Sequence, residues 1–233
     1  DPRRSETARA ADEWIPIRPG SDAALLLAMA QTLVADGRVD AQRIAAVAEG
    51  WDALGPQLAN FTPERVATYT GVPAATTRRL AHELADAPSG SCYSRIGVCN
   101  NRFGTLGTWA TDVLNLAANR LGQVGGALFP TPAVDIAGLM PRLGDGHDRW
   151  CSRVRGVPET LGDLPAATFA DEMETPGRGQ IRALVTFAGN PVLSVPNGRR
   201  VARGLERLEF MVAIDLYINE TTRHADVILP PSW

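Results

Sequence analysis

The 233-residue chain is 45% hydrophobic and 21% charged, with a formal charge of −3. This is the balance of a globular chain long enough for one large domain or two of about 100 to 150 residues. That charge supplies no general basic field and disfavours a nucleic-acid partner, and no apolar run approaches the roughly 20 residues needed to cross a membrane. All 23 basic residues are arginine, so there is no Walker-type phosphate loop, Schiff-base lysine or pyridoxal site.

Cys92, Cys99 and Cys151 are too few and too widely spaced for a four-thiolate iron-sulfur or zinc cage, and no C-x-x-C pair occurs. An odd count without a secretory segment points to reduced thiols and a cytoplasmic location. His82, His147 and His224 are equally scattered, so no metal ligand is expected. The chain opens Asp1-Pro2-Arg3-Arg4 without methionine and ends at Trp233 directly after an apolar run, which reads as an excised piece. A missing upstream region could then hold targeting or cluster-binding residues.

In chain order, Trp14-Ile15-Pro16-Ile17 predicts an edge strand, because Pro16 forbids a helix there. Ser21 is the expected N-cap of a clear helix with Leu25, Leu26, Met29 and Leu33 on one apolar face up to Gly37. Asp22 has two readings: a charge that favours the helix start, or a carboxylate that accepts the paired N–H donors of a guanine edge or a ribose hydroxyl. Short helices follow from Asp40 to Gly50, from Thr62-Pro63 to Gly71 and from Val72-Pro73 to about Ala85, with Leu80 and Leu84 inward. Cys92 to Val98 resembles a strand. Asn100 to Arg120 then predicts a helix with Phe103, Leu106, Trp109, Val113 and Leu114 on its core side.

Gln123 to Gln180 is rich in glycine and proline and reads as a long functional or interface loop, with the boundary between two lobes near Gly122 to Ala133. Beyond it, three apolar runs (Ile181 to Phe187, Phe210 to Ile214, Val227 to Leu229) alternate with turn and helix signals. This is the pattern of an open parallel sheet, whose ligand crevice lies at the carboxyl ends of the strands. Gly189, Asn190 and Asp215 are placed there, and a helix start near Asn197 offers N–H donors to anionic groups.

Four blocks carry a resemblance: Asp-Pro-Arg-Arg-Ser-Glu-Thr-Ala at 1 to 8, Ile-Arg-Pro-Gly-Ser-Asp-Ala-Ala-Leu at 17 to 25, Phe-Ala-Gly-Asn-Pro at 187 to 191, and Asp-Leu-Tyr-Ile-Asn-Glu-Thr-Thr-Arg-His-Ala-Asp-Val-Ile-Leu-Pro at 215 to 230. In this order they resemble the large catalytic subunit of the molybdopterin oxidoreductases, the dimethyl sulfoxide reductase superfamily that includes formate dehydrogenases and nitrate reductases. The resemblance implies an α/β fold of parallel-sheet, dinucleotide-binding-like lobes with helices on both faces, here partial domains of a larger chain. Residues 1–126 would be the latter half of one guanine-dinucleotide-binding lobe. Residues 127–233, with an irregular loop over 127–180, would be part of the second.

It further implies two molybdopterin guanine dinucleotides whose dithiolenes clamp a molybdenum or tungsten ion, and an iron-sulfur cluster only in a missing N-terminal region. Asp1, Arg3, Ser21 and Asp22 would surround one guanosine; Gly189, Asn190, Asp215, Thr221 and Asp226 would surround the other. No catalytic residue is expected in this piece, and alone it is expected to be inactive. The implied partners are the remaining domains of the parent chain and an electron-transfer subunit. An arginine that orients formate in formate dehydrogenases has no counterpart in Phe129 to Asp135, so the resemblance leaves the substrate open. A pterin-free relative, such as the large iron-sulfur subunit of respiratory complex I, should lack the acids at 22 and 215. A nicotinamide-binding dehydrogenase needs G-x-G-x-x-G after a strand, and that string is absent. His224 reads as a packing residue on a surface turn.

Overall fold

The computed structural model describes residues 1–139 and 147–232. Pro141, Gly144 and Gly146, which belong to the irregular stretch, lie outside them. The chain divides into two compact units, Asp1–Pro130 and Thr131–Trp233. No described helix is long and apolar enough to cross a membrane.

The first unit is helical throughout its described elements: α1 (Glu6–Ala10), α2 (Asp22–Ala35), α3 (Ala41–Val47), α4 (Trp51–Leu58), α5 (Pro63–Thr70), α6 (Ala74–Asp86), α7 (Ile96–Cys99) and α8 (Gly104–Ala117). Local signals set several boundaries. The Asp40 and Thr62 side chains accept from the N–H groups of Arg43 and Arg65, Pro63 takes the first helical position, and Gly71 ends α5 at φ +77°. α2 is the centre of the unit: Leu27, Ala28, Ala30 and Leu33 are at most 3% exposed, and its principal neighbour is α8.

Two expectations are corrected by this packing. α8 turns its small face inward, with Gly104, Gly107, Ala110, Val113, Leu114 and Ala117 buried, and leaves Phe103, Leu106 and Trp109 38–45% exposed. The small residues let neighbouring backbone come close, and a Cβ at Gly104 would overlap the Cys99 carbonyl oxygen. Neither predicted strand forms. Trp14 to Ile17 is extended without a ladder partner, and Cys92 to Arg95 gives way to α7. In place of a neighbouring strand, the buried Asn115 carboxamide grips Cys92, accepting from its N–H at 2.8 Å and donating to its carbonyl at 2.9 Å. One side chain thus satisfies both backbone groups that a ladder would have paired.

The second unit holds α9 (Ile136–Leu139), an antiparallel hairpin of β1 (His147–Cys151) and β2 (Pro158–Thr160), α10 (Phe169–Glu174), β3 (Ala183–Phe187), α11 (Pro191–Ser194), α12 (Gly198–Leu205), β4 (Phe210–Ile214) and β5 (Val227–Ile228). β3, β4 and β5 form a parallel sheet in that order, with Ala183 beside Phe210 and Val212 beside Val227. One face packs on α10 and α12 through Met173, Val201, Leu205 and Met211. The segment read as a loop over 127–180 therefore contributes α10, with the buried Met173, to this core.

Candidate functional site

In the first unit, a cavity of about 710 Å³ has Asp1, Trp14, Asp22, Leu25, Tyr93 and Arg95 among its lining residues, a size that suits a nucleotide. The Asp1 carboxylate is engaged in its own loop, accepting from Arg3 N–H at 2.9 Å and Ser5 hydroxyl at 3.2 Å, while Trp14 Nε1 donates to the Asp1 carbonyl at 2.8 Å. Asp22, the first residue of α2, lines the same cavity, and its half-buried carboxylate has no hydrogen-bond partner among the described residues. It stands unpartnered at the start of a helix, whose backbone dipole presents its positive end there. Elsewhere on the wall of this cavity, Arg95 Nη1 donates to the Tyr93 hydroxyl at 3.2 Å.

Ser21 and Arg3 are not brought to this cavity. Ser21 is 2% exposed and its hydroxyl donates to the Arg18 carbonyl at 2.7 Å, so it holds the loop before α2 instead of capping the helix. Arg3 lines a separate surface cavity with Arg4 and Arg9. Tyr93 and Arg95 were missed by the sequence reading because their segment resembled a strand. Cys92, also on the cavity wall, has its thiol pushed up to about 11, chiefly by burial and secondarily by Asp112.

In the second unit the site is a pair of loops at the carboxyl ends of β3 and β4. Ala188 follows β3 at φ +48°, in the left-handed region that costs a non-glycine residue about 1 kcal/mol or more. Its N–H still donates to the Ile214 carbonyl at 2.9 Å, which extends the ladder by one residue. Gly189 and Asn190 come next, and the Asn190 carbonyl accepts from the N–H groups of Leu193 and Ser194, each at 3.0 Å, to start α11.

The Asn190 side chain is held at both ends. Its Oδ1 accepts from the Thr221 hydroxyl at 2.7 Å, and its Nδ2 donates to Glu220 at 2.9 Å. Thr221, fully buried, also accepts from Val192 N–H at 3.1 Å. Asn219 Oδ1 in turn accepts from the N–H groups of Thr221 and Thr222, each at 3.0 Å. Asn219 Nδ2 donates to Asp215 Oδ2 at 3.2 Å, and Asp215 Oδ1 accepts from Leu216 and Tyr217 N–H at 2.6 and 3.3 Å. Gly189, Asn190, Asp215 and Thr221 thus share one hydrogen-bonded end of the sheet. The Asn190 contact, foremost, holds the Glu220 carboxyl below the usual range.

Asp226 is placed elsewhere. Its carboxylate accepts from Met211 N–H at 2.7 Å, near the amino end of β4, whereas Asp215 follows the carboxyl end. It closes the sheet as a ladder partner for β4 and does not join the loops at the other end. The start of α12 at Asn197 is packed on α11, where a Cβ at Gly198 would overlap the Val192 carbonyl. Thr186 Oγ1, one residue before the end of β3, and His224 Nε2 are buried with no partner among the described residues. Glu220 and Asn219 carry most of the network, and their only sequence signal was membership of the block at 215 to 230. Among the described residues, no group of three or more His, Cys, Asp or Glu side chains is arranged to hold a metal ion.

The family model of molybdopterin oxidoreductases matches residues 1–232. The chain is 26% identical over its whole length to the assimilatory nitrate reductase catalytic subunit of Bacillus subtilis, of which it covers 35%. It is 28% identical, again over its whole length, to formate dehydrogenase H of Escherichia coli, of which it covers 34%. It spans about a third of these relatives. The acetylene hydratase of Pelobacter acetylenicus shares the fold, with a TM-score of 0.80 at 22% identity over 99% of this chain and 36% of that one.

Proposed function

The chain belongs to the molybdopterin oxidoreductase family, and on that premise we propose that it is the part of a larger oxidoreductase that holds the guanosine ends of two molybdopterin guanine dinucleotides. The observation that carries the reading is the free Asp22 carboxylate in a nucleotide-sized cavity. A guanine edge offers two adjacent N–H donors, and an ionised carboxylate is the acceptor that pairs with both. Trp14 and Tyr93 supply flat apolar surface for a base, and the Asp1 loop supplies polar groups for a ribose. These residues fit the group by the chemistry of their donors and acceptors.

In the second unit, the backbone at Ala188 and Gly189 and the side chains of Asn190, Asp215 and Thr221 would hold the other guanosine. Asp215 uses both oxygens in its own loop, so its role there is to shape the loop as well as to accept from the base. When bound, the metal and its pterins supply the two-electron redox or oxygen-atom transfer, and these residues bind and orient. The parent is read as a cytoplasmic enzyme whose remaining domains supply the metal ligand and an iron-sulfur cluster, and which passes electrons to a partner subunit.

The test is pterin content of the full-length protein, measured by fluorescence after oxidative release. Asp22→Asn presents an amide N–H to the donors of guanine and is expected to lower occupancy at least tenfold. Unchanged occupancy in both Asp22→Asn and Asp215→Ala, or a wild-type protein that carries no pterin, would overturn the assignment.

A further inference from the structure

The turn after β3 is held in a conformation its sequence does not favour, and what holds it comes from a different loop. Ala188 has φ +48°, a backbone conformation that glycine adopts freely and alanine does not. Its N–H side is fixed by the ladder bond to Ile214. On its carboxyl side the turn passes through Gly189, which imposes no conformation of its own, to Asn190. Asn190 is therefore the next point at which the chain is anchored, and Glu220 and Thr221 grip its side chain from either end.

Of the two, Thr221 is buried and also bonded to Val192 N–H, so it belongs to the packing under α11. Glu220 is half-buried, and it supplies the charge-assisted contact of the pair. The charged group beside it is Arg223, whose Nε is 3.4 Å from the Glu220 carbonyl, with Asp215 engaged one step further along the network.

We propose that Glu220 is a positioning residue: through Asn190 it keeps Ala188 in its left-handed conformation, the form in which the backbone of this turn meets a ligand at the carboxyl end of the sheet. The inference rests on the reading that this loop faces a guanosine, and it adds a residue which touches no ligand and acts from the neighbouring loop.

Hydrogen–deuterium exchange of the amides from Ala188 to Ser194 in the cofactor-free full-length protein, with and without GDP as probe, tests both parts locally. Without ligand, Glu220→Ala is expected to speed exchange of these amides at least tenfold. Glu220→Gln, whose side-chain oxygen can still accept from Asn190, stays within threefold of wild type. With GDP, Glu220→Ala needs about tenfold more nucleotide for half-protection of this segment. Adding Ala188→Gly to Glu220→Ala restores the GDP requirement to within threefold, because glycine takes the left-handed form without being held. Unchanged exchange in Glu220→Ala, a Glu220→Gln variant as fast as Glu220→Ala, or no rescue by Ala188→Gly would overturn the proposal. If wild type gains no protection from GDP, the guanosine reading falls, and the grip on the turn is then judged by the ligand-free exchange alone.

Discussion

Asp22 and Asp215 show how differently one side chain behaves at two ends of secondary structure. At the start of α2 the carboxylate is unpartnered and available; after β4 it is tied to two backbone N–H groups and to Asn219. Both positions were legible in the sequence as a helix start and a strand end, but their engagement was not, because it depends on where Asn219 folds back. The buried Glu159 gives a pH test at this scale. Burial works to raise its pKa and is outweighed by hydrogen bonds from Gly162 N–H and from the Arg149 side chain and N–H, so the carboxyl lies below the usual range. The stabilisation it provides is present above the unfolded carboxylate pKa of about 4.3 and is lost as pH falls through the lower folded value. Glu159→Gln should therefore flatten the fall in stability on acidification below about pH 4.3, as read by urea denaturation at a series of pH values. Reactivity separates the cysteines: with its thiol at about 11, Cys92 is protonated at pH 8, whereas Cys99 and Cys151 are exposed. Iodoacetamide at pH 8 should label Cys99 and Cys151 and leave Cys92 unmodified by mass spectrometry.

At the scale of elements, helix boundaries followed their caps and breakers, since Asp40, Thr62, Pro63 and Gly71 act within a few residues of themselves. The inward face of α8 did not follow from its sequence. Size favoured Phe103, Leu106 and Trp109 inside, but α2 and α7 lie close to the glycine and alanine side and bury that instead. Leu114, fully buried in the core that α8 shares with α2, should cost about 2–5 kcal/mol when replaced by alanine. Trp109→Ala, on the outer face, should cost less than half as much in the same chemical-denaturation assay.

For the molecule as a whole, the exposed apolar residues are the informative feature. Val185 and Phe187 of β3 are 67% and 76% exposed, and Phe210 of β4 and Val227 of β5 48% and 38%, on strands of a parallel sheet, a class of sheet that is ordinarily covered on both faces. The 233-residue chain produced alone should bind the dye ANS, and Val185→Thr with Phe187→Thr should reduce that fluorescence by at least half. Equal fluorescence in the two proteins would show that this face is not the exposed apolar surface.

The amino-acid sequence by itself determined the three parallel strands, the helix starts at Asp40 and Thr62, and the family, because apolar runs, capping residues and short motif blocks are local properties of the chain. Only the tertiary structure decided that Cys92 is gripped by Asn115 instead of by a strand, that Asp226 sits at the other end of β4 from Asp215, and that Glu220 reaches Asn190 from thirty residues away. Each of these is a contact between side chain and distant backbone or loop, and its geometry exists only after the elements have packed.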